Sequence, residues 1–204
     1  MKCLAFDLGM VVFDFDYNIA LKRMENKLGV CPEEVIDALY NKDFALDFEK
    51  GLLSGYEFYL QFKNEFKANL NYEEFVDAWC KIFHPKDEVI RLIRKLKEKY
   101  PLYLISNINE LHFKYLYQEF SEVFSLFNKL LLSFEIKSVK PEEKIYQELK
   151  RIANQEAKDI VYIDDRQDLI EEAKKLNFKC IRFKNFPSFI RTLEEIGIFF
   201  PPEK

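Results

Sequence analysis

Short apolar runs that end on polar or charged residues, set between longer stretches of helical periodicity, constrain this chain most. Residues 3–6 (Cys-Leu-Ala-Phe) run into Asp7, residues 102–105 into Ser106, and residues 160–163 into Asp164. Residues 130–134 and 179–183 are two further runs of this kind. Such runs, bounded by turn formers, read as buried strands. Between them lie helical patterns over 86–99, 110–118, 141–153, 168–176 and 187–196. The first of these places Val89, Ile90, Ile93 and Leu96 on one face. Strands alternating with helices of this length predict an α/β fold with a parallel sheet.

Residues 17–83 break that alternation. They hold helix signals and no clear strand: a helix is expected over 18–28 with Gly29 as its stop, Pro32 suits the first turn of a second, and Ser54 with Glu57 and Asn71 with Glu74 are capping-box pairs. Residues 1–16 and 84–204 are therefore expected to form the α/β core, and 17–83 an inserted helical cap. The chain's 21 Phe and 11 Tyr imply an aromatic-rich interior. Phe75, Trp79 and Phe83 share a helical face and are expected to fill the core of the insert.

At 204 residues the chain is long enough for one domain with a modest insertion. The formal net charge of −4 gives no broad basic surface for nucleic acid. Four scattered cysteines, with no metal spacing, suit a reducing compartment. No apolar run approaches the roughly 20 residues that cross a membrane, and Asp7 interrupts the first apolar run, so no secretory signal is expected. A cytoplasmic protein without membrane or nucleic-acid partners is expected; oligomeric state is not legible.

In an open parallel sheet, ligands bind beyond the carboxyl ends of the strands. Four segments bring Asp7, Ser106-Asn107, Lys140 and Asp164-Asp165 to that edge. Each residue type has a task in phosphoryl transfer. A carboxylate can attack phosphorus. Asp7 with Asp164 or Asp165 could hold magnesium, a hard cation that prefers oxygen ligands. The Ser106 hydroxyl could bind phosphate oxygens, and Lys140 supplies a point charge.

The opening Phe6-Asp7-Leu-Gly9-Met-Val-Val-Phe-Asp14, then Leu104-Ile-Ser106-Asn107, Lys140-Pro141 and Ile163-Asp164-Asp165, resemble in order the four motifs of the haloacid dehalogenase superfamily. Three runs look closest to the bacterial branch of the α-D-glucose-1-phosphate phosphatases: 7–16, 106–112, and Glu49-Lys-Gly51 followed by Ser54. The resemblance implies a Rossmann-like core with a helical cap and hydrolysis of a small phosphate monoester, such as a sugar phosphate, through an aspartyl-phosphate on Asp7. It implies Mg2+ on the Asp7 carboxylate, the Gly9 carbonyl and Asp165, with Asp164 assisting. Ser106 and Asn107 would contact phosphate, and Lys140 would orient Asp7.

The pattern is not complete. Superfamily phosphatases usually carry a second Asp, the acid–base residue, where this chain has Gly9. Lys137 replaces a usual Gly and Leu169 a usual Asn, with Asp168 beside it. Asp14 and Asp16 are nearby acids, and Asp43, Asp47 and Glu49 could face the pocket mouth. These departures keep two competing readings open: a weak or inactive binding protein of the same fold, and a metal-independent dehalogenase.

Overall fold

A computed structural model describes residues 2–201. In chain order, β1 (Cys3–Phe6) leads through a tight turn to β2 (Phe13–Phe15). Five helices follow: α1 (Tyr17–Met24), α2 (Pro32–Asn41), α3 (Asp43–Glu49), α4 (Gly55–Glu65) and α5 (Tyr72–Cys80). Then come β3 (Phe83–Pro85), α6 (Asp87–Lys97), β4 (Leu102–Ser106), α7 (Glu110–Glu119), α8 (Ser121–Phe124), β5 (Lys129–Leu132), α9 (Ser133–Ile136) and α10 (Glu143–Ala153). The chain closes with β6 (Ile160–Asp164), α11 (Gln167–Lys175), β7 (Lys179–Arg182) and α12 (Phe186–Glu195).

Five strands form one parallel sheet in the order β5-β4-β1-β6-β7. β1 is central, so Asp7, the residue after it, stands in the middle of the carboxyl edge. Successive side chains of a strand point to opposite faces. Leu4 and Phe6 accordingly join the apolar layer that holds α6 and α12, while Cys3 and Ala5 join the layer that holds α10 and α11. Both faces are covered, and the central strands β1, β4 and β6, buried along their whole length, therefore read as nearly unbroken apolar runs.

A separate apolar cluster is built from α1–α5, running from Ala20 to Ile82 with Leu111 of α7 added. Its centre is aromatic: Phe58, Phe62, Phe75 and Trp79 are buried with ring centroids 5.0–6.4 Å apart. Both capping boxes form. Ser54 Oγ accepts the Glu57 N–H at 3.3 Å, and Asn71 Oδ1 accepts the Glu74 N–H at 2.9 Å.

The structure departs from the sequence expectations in four places. The helix expected from residue 18 to 28 ends at Met24 and finishes as a short 3-10 turn. α3 carries no strong start signal and was not expected. The strand expected over 130–134 stops at Leu132, because Ser133 opens α9. β2 and β3 pair antiparallel, Asp14 opposite His84. This ladder joins segments about 70 positions apart in sequence, a pairing no local pattern reveals.

Candidate active site

Lys140 is the hub of the strand-edge cluster. Its Nζ lies 2.8 Å from Asp7 Oδ1 and 2.8 Å from Asp164 Oδ2, and all three residues are buried. Asp164 is the most fully engaged of the acids. Its Oδ2 also accepts the Tyr162 hydroxyl, and its Oδ1 accepts the Arg166 backbone N–H at 3.0 Å. Asp165 is half-buried, and no other described residue hydrogen-bonds its carboxylate.

One oxygen from each of Asp7, Asp164 and Asp165 falls within 4.8 Å of the others. Three carboxylates thus face one ammonium. Burial, with Asp164 adding to it and Lys140 opposing, pushes the Asp7 carboxyl up to about 7. Burial and the Asp164 charge raise Asp165 in the same direction. Burial disfavours the Lys140 charge, but Asp7 and Asp164 outweigh it and hold the lysine firmly protonated. An all-oxygen donor set with surplus negative charge suits a hard divalent cation.

The cluster opens into a cavity of about 640 Å³ between the sheet edge and the helical insert. Gly9, Asn107, Lys140 and Asp165 line it from below, and Asp43, Glu49 and Trp79 from above. Ser106 is buried and lines a smaller adjoining recess. The Asn107 carboxamide is largely committed to structure: Oδ1 accepts the Lys140 backbone N–H at 2.7 Å, and Nδ2 donates to the Lys140 carbonyl at 2.9 Å. This reciprocal pair fixes the loop that carries Lys140.

The acids near Asp7 in sequence are occupied elsewhere. Asp14 pairs with Lys86 at 2.5 Å, and Asp16 caps α1 by accepting the Asn18 N–H at 2.9 Å. Asp168 is held by the Arg166 guanidinium. Of the three acids expected at the pocket mouth, Asp43 and Glu49 line the cavity; Asp47 does not. Arg166 and Leu169 also line it. Arg166 follows Asp165 directly in sequence, the one signal that could have singled it out.

His112 is buried. Burial drives its imidazole down to about 3, so it is neutral. Because a carbonyl only accepts, Nε2 donates to the Trp79 carbonyl at 3.1 Å, which leaves Nδ1 to accept from Asn109 Nδ2 at 3.0 Å. The ring stacks on Trp79 with centroids 5.3 Å apart. It is a clamp between α5 and α7.

The family model of the haloacid dehalogenase-like hydrolases matches residues 41–177. The chain belongs to that family and is a hydrolase. Over 192 residues it is 27% identical to the D-ribitol-5-phosphate phosphatase of Bacteroides thetaiotaomicron, covering 91% of this chain and 93% of the relative. A family enzyme from the same organism, solved in complex with magnesium and inorganic phosphate, superposes with a TM-score of 0.80 at 25% identity, over 90% of this chain and 94% of that one. An HAD-like hydrolase from Porphyromonas gingivalis gives 0.80 at 25% identity, over 95% and 98%. The L-2-haloacid dehalogenase of Xanthobacter autotrophicus gives 0.65 at 13% identity, over 98% and 84%; that likeness is one of fold.

Among the described residues, no helix is long and apolar enough to cross a membrane.

Proposed function

We propose that this chain is a magnesium-dependent phosphatase of a small phosphate monoester, of the sugar or polyol phosphate class, acting through an aspartyl-phosphate on Asp7. The observation that carries the reading is the Asp7 carboxylate at the centre of the sheet edge, 2.8 Å from Lys140 and beside the Asp164-Asp165 pair. The relative that hydrolyses D-ribitol 5-phosphate and the neighbour holding magnesium with phosphate support it.

In this reading Asp7, the Gly9 carbonyl and Asp165 would hold the cation, with Asp164 assisting. Bound magnesium would offset the repulsion between an anionic nucleophile and an anionic phosphate. The chain's own residues do the rest. Lys140 orients Asp7, favours its ionised form against the effect of burial, and faces the charge of the phosphoryl group. Ser106 and the Asn107 backbone bind phosphate oxygens. An Asp7 oxygen attacks phosphorus, the ester bond breaks, and water then attacks the phosphorus of the acyl phosphate to free Asp7 and inorganic phosphate. The α1–α5 unit acts as a cap that excludes bulk water from the reacting groups.

Phosphate release from a panel of sugar and polyol phosphates and an aryl phosphate tests this, run with magnesium, with chelator, and with Asp7→Asn. Release that needs both magnesium and Asp7 is the expected result. Release that persists in chelator or in the variant would overturn it.

A further inference from the structure

The superfamily motif this chain resembles usually carries an acid two positions after the nucleophile; here that position is Gly9, which has no side chain to move a proton, and the Phe15 ring packs against it. A Cβ added at Gly9 would lie 2.9 Å from the Phe15 ring. Asp14 and Asp16 are held by Lys86 and by the α1 N-terminus. The leaving oxygen of a phosphate ester must still receive a proton, and the attacking water must lose one.

Glu49 is the remaining acid with the right surroundings. It ends α3 and lines the cavity that holds Asp7, Gly9 and Lys140, as well as the recess lined by Ser106. No donor among the described residues hydrogen-bonds its carboxylate. Arg166 and Lys140 are the charged groups that act on it, and burial outweighs them to raise its carboxyl above the ordinary range. A raised carboxyl favours the protonated form that a general acid needs.

Its position is built, not incidental. Ser133 Oγ donates to the Glu49 backbone carbonyl at 2.6 Å and accepts the Ile108 N–H at 2.9 Å. Lys50 pairs with Glu142 at 2.5 Å, and Lys137 Nζ donates to the Gly51 carbonyl. Gly51 has φ +63°, and a Cβ there would lie 2.3 Å from the Phe134 carbonyl oxygen. Only glycine lets the turn after Glu49 approach the core so closely. Lys137, where the family usually has glycine, keeps the left-handed backbone with φ 58° and uses its side chain to hold this turn.

We propose that Glu49, held over the sheet edge by this docked turn, is the acid–base residue of the reaction, reaching the substrate from the cap because position 9 cannot. The role rests on the phosphatase reading. As Asp7 attacks phosphorus and the ester P–O bond breaks, Glu49 gives its proton to the departing oxygen, releasing an alcohol. The resulting Glu49 carboxylate takes a proton from the water that attacks the acyl phosphate. The Asp7–phosphorus bond breaks, phosphate leaves, and both residues return to their starting states.

The test compares Glu49→Gln with wild type on two substrates: an alkyl phosphate such as ribitol 5-phosphate, whose leaving group needs a proton, and 4-nitrophenyl phosphate, whose leaving group does not. Glutamine is isosteric, and the carboxylate it replaces has no hydrogen-bond donor to lose. The expected result is a drop in kcat/KM of about 10²-fold or more on the alkyl ester and less than about tenfold on the aryl ester, with inhibition by inorganic phosphate unchanged. Equal losses on both esters, or no loss on either, would overturn the role of Glu49 while leaving the phosphatase reading intact. No turnover of either ester by the wild type would instead overturn the phosphatase reading and this role with it.

Discussion

The sheet edge and the helical insert solve opposite problems. The edge buries Asp7, Lys140 and Asp164, and its order depends on charge: each group is tolerable only because of the others. The insert buries Phe58, Phe62, Phe75 and Trp79, and its order depends on volume and ring geometry. A charged cluster constrains the identity of every member. An aromatic core constrains size and shape and tolerates exchange so long as both are kept. Residue identity is therefore held tightly at the charged sheet edge, while the aromatic packing inside the insert can change within its volume.

Lys140→Met should separate the two regions most sharply. It leaves Asp7 and Asp164 buried without their cation, which costs about 3–5 kcal/mol when one partner of a buried pair is removed, and it should abolish turnover. Denaturant unfolding without magnesium measures the first effect. A second change, Asp164→Asn, should restore part of the stability and none of the activity. Stability unchanged in Lys140→Met would mean the edge is not held by charge.

Phe62→Ala is the matching experiment in the insert. Removing a fully buried phenylalanine should cost about 3–5 kcal/mol, yet the folded fraction should keep magnesium-dependent hydrolysis of an aryl phosphate. Loss of that activity in protein shown to be folded would break the division of labour.

Ser133→Ala probes the joint between the regions. It removes a side-chain donor to the Glu49 carbonyl and the acceptor of the Ile108 N–H, an expected loss of about 1–3 kcal/mol, with a larger fall in alkyl than in aryl phosphate turnover. Equal falls would place the effect in folding alone.

His112→Gln should lower stability at neutral pH by loss of the clamp and should also flatten the pH dependence in acid. The folded imidazole titrates at about 3, against an ordinary value near 6.5. Between those values the unfolded chain binds a proton the folded one refuses, so stability falls as pH drops below about 6.5. Wild type should therefore lose about 2 kcal/mol more than His112→Gln between pH 7 and pH 5. Parallel pH profiles would show that the ring is not held neutral.

The sequence is most informative where local chemistry decides structure. Ser54 with Glu57 and Asn71 with Glu74 announce two helix starts because capping is a contact across three residues. The sheet and its polar edge are readable because each strand buries both faces and ends on the residue it presents. Phe75 and Trp79 of the insert's aromatic face are readable from spacing, and Trp79 lines the cavity as well; Phe83, expected on the same helical face, lies in β3 because α5 ends at Cys80. What escaped depends on contacts made at long range. α3 lacks a capping side chain, and β2 meets β3 across the whole insert. Glu49 is legible as an acid near the pocket mouth, but the docking of its turn by Gly51, Ser133 and Lys137 is not. Asn107 is legible as a strand-end residue, but its commitment to the Lys140 backbone emerges only when two loops meet.

The claim on which all of this turns is that Asp7 is the nucleophile. The most direct measurement is to quench the enzyme in acid during turnover of a phosphate monoester with magnesium, digest it, and locate the phosphoryl group by mass spectrometry, beside phosphate release by Asp7→Asn. The account predicts the phosphoryl group on the peptide containing Asp7 and no release by the variant. A phosphoryl group on another residue, or release by Asp7→Asn at the wild-type rate, would contradict it.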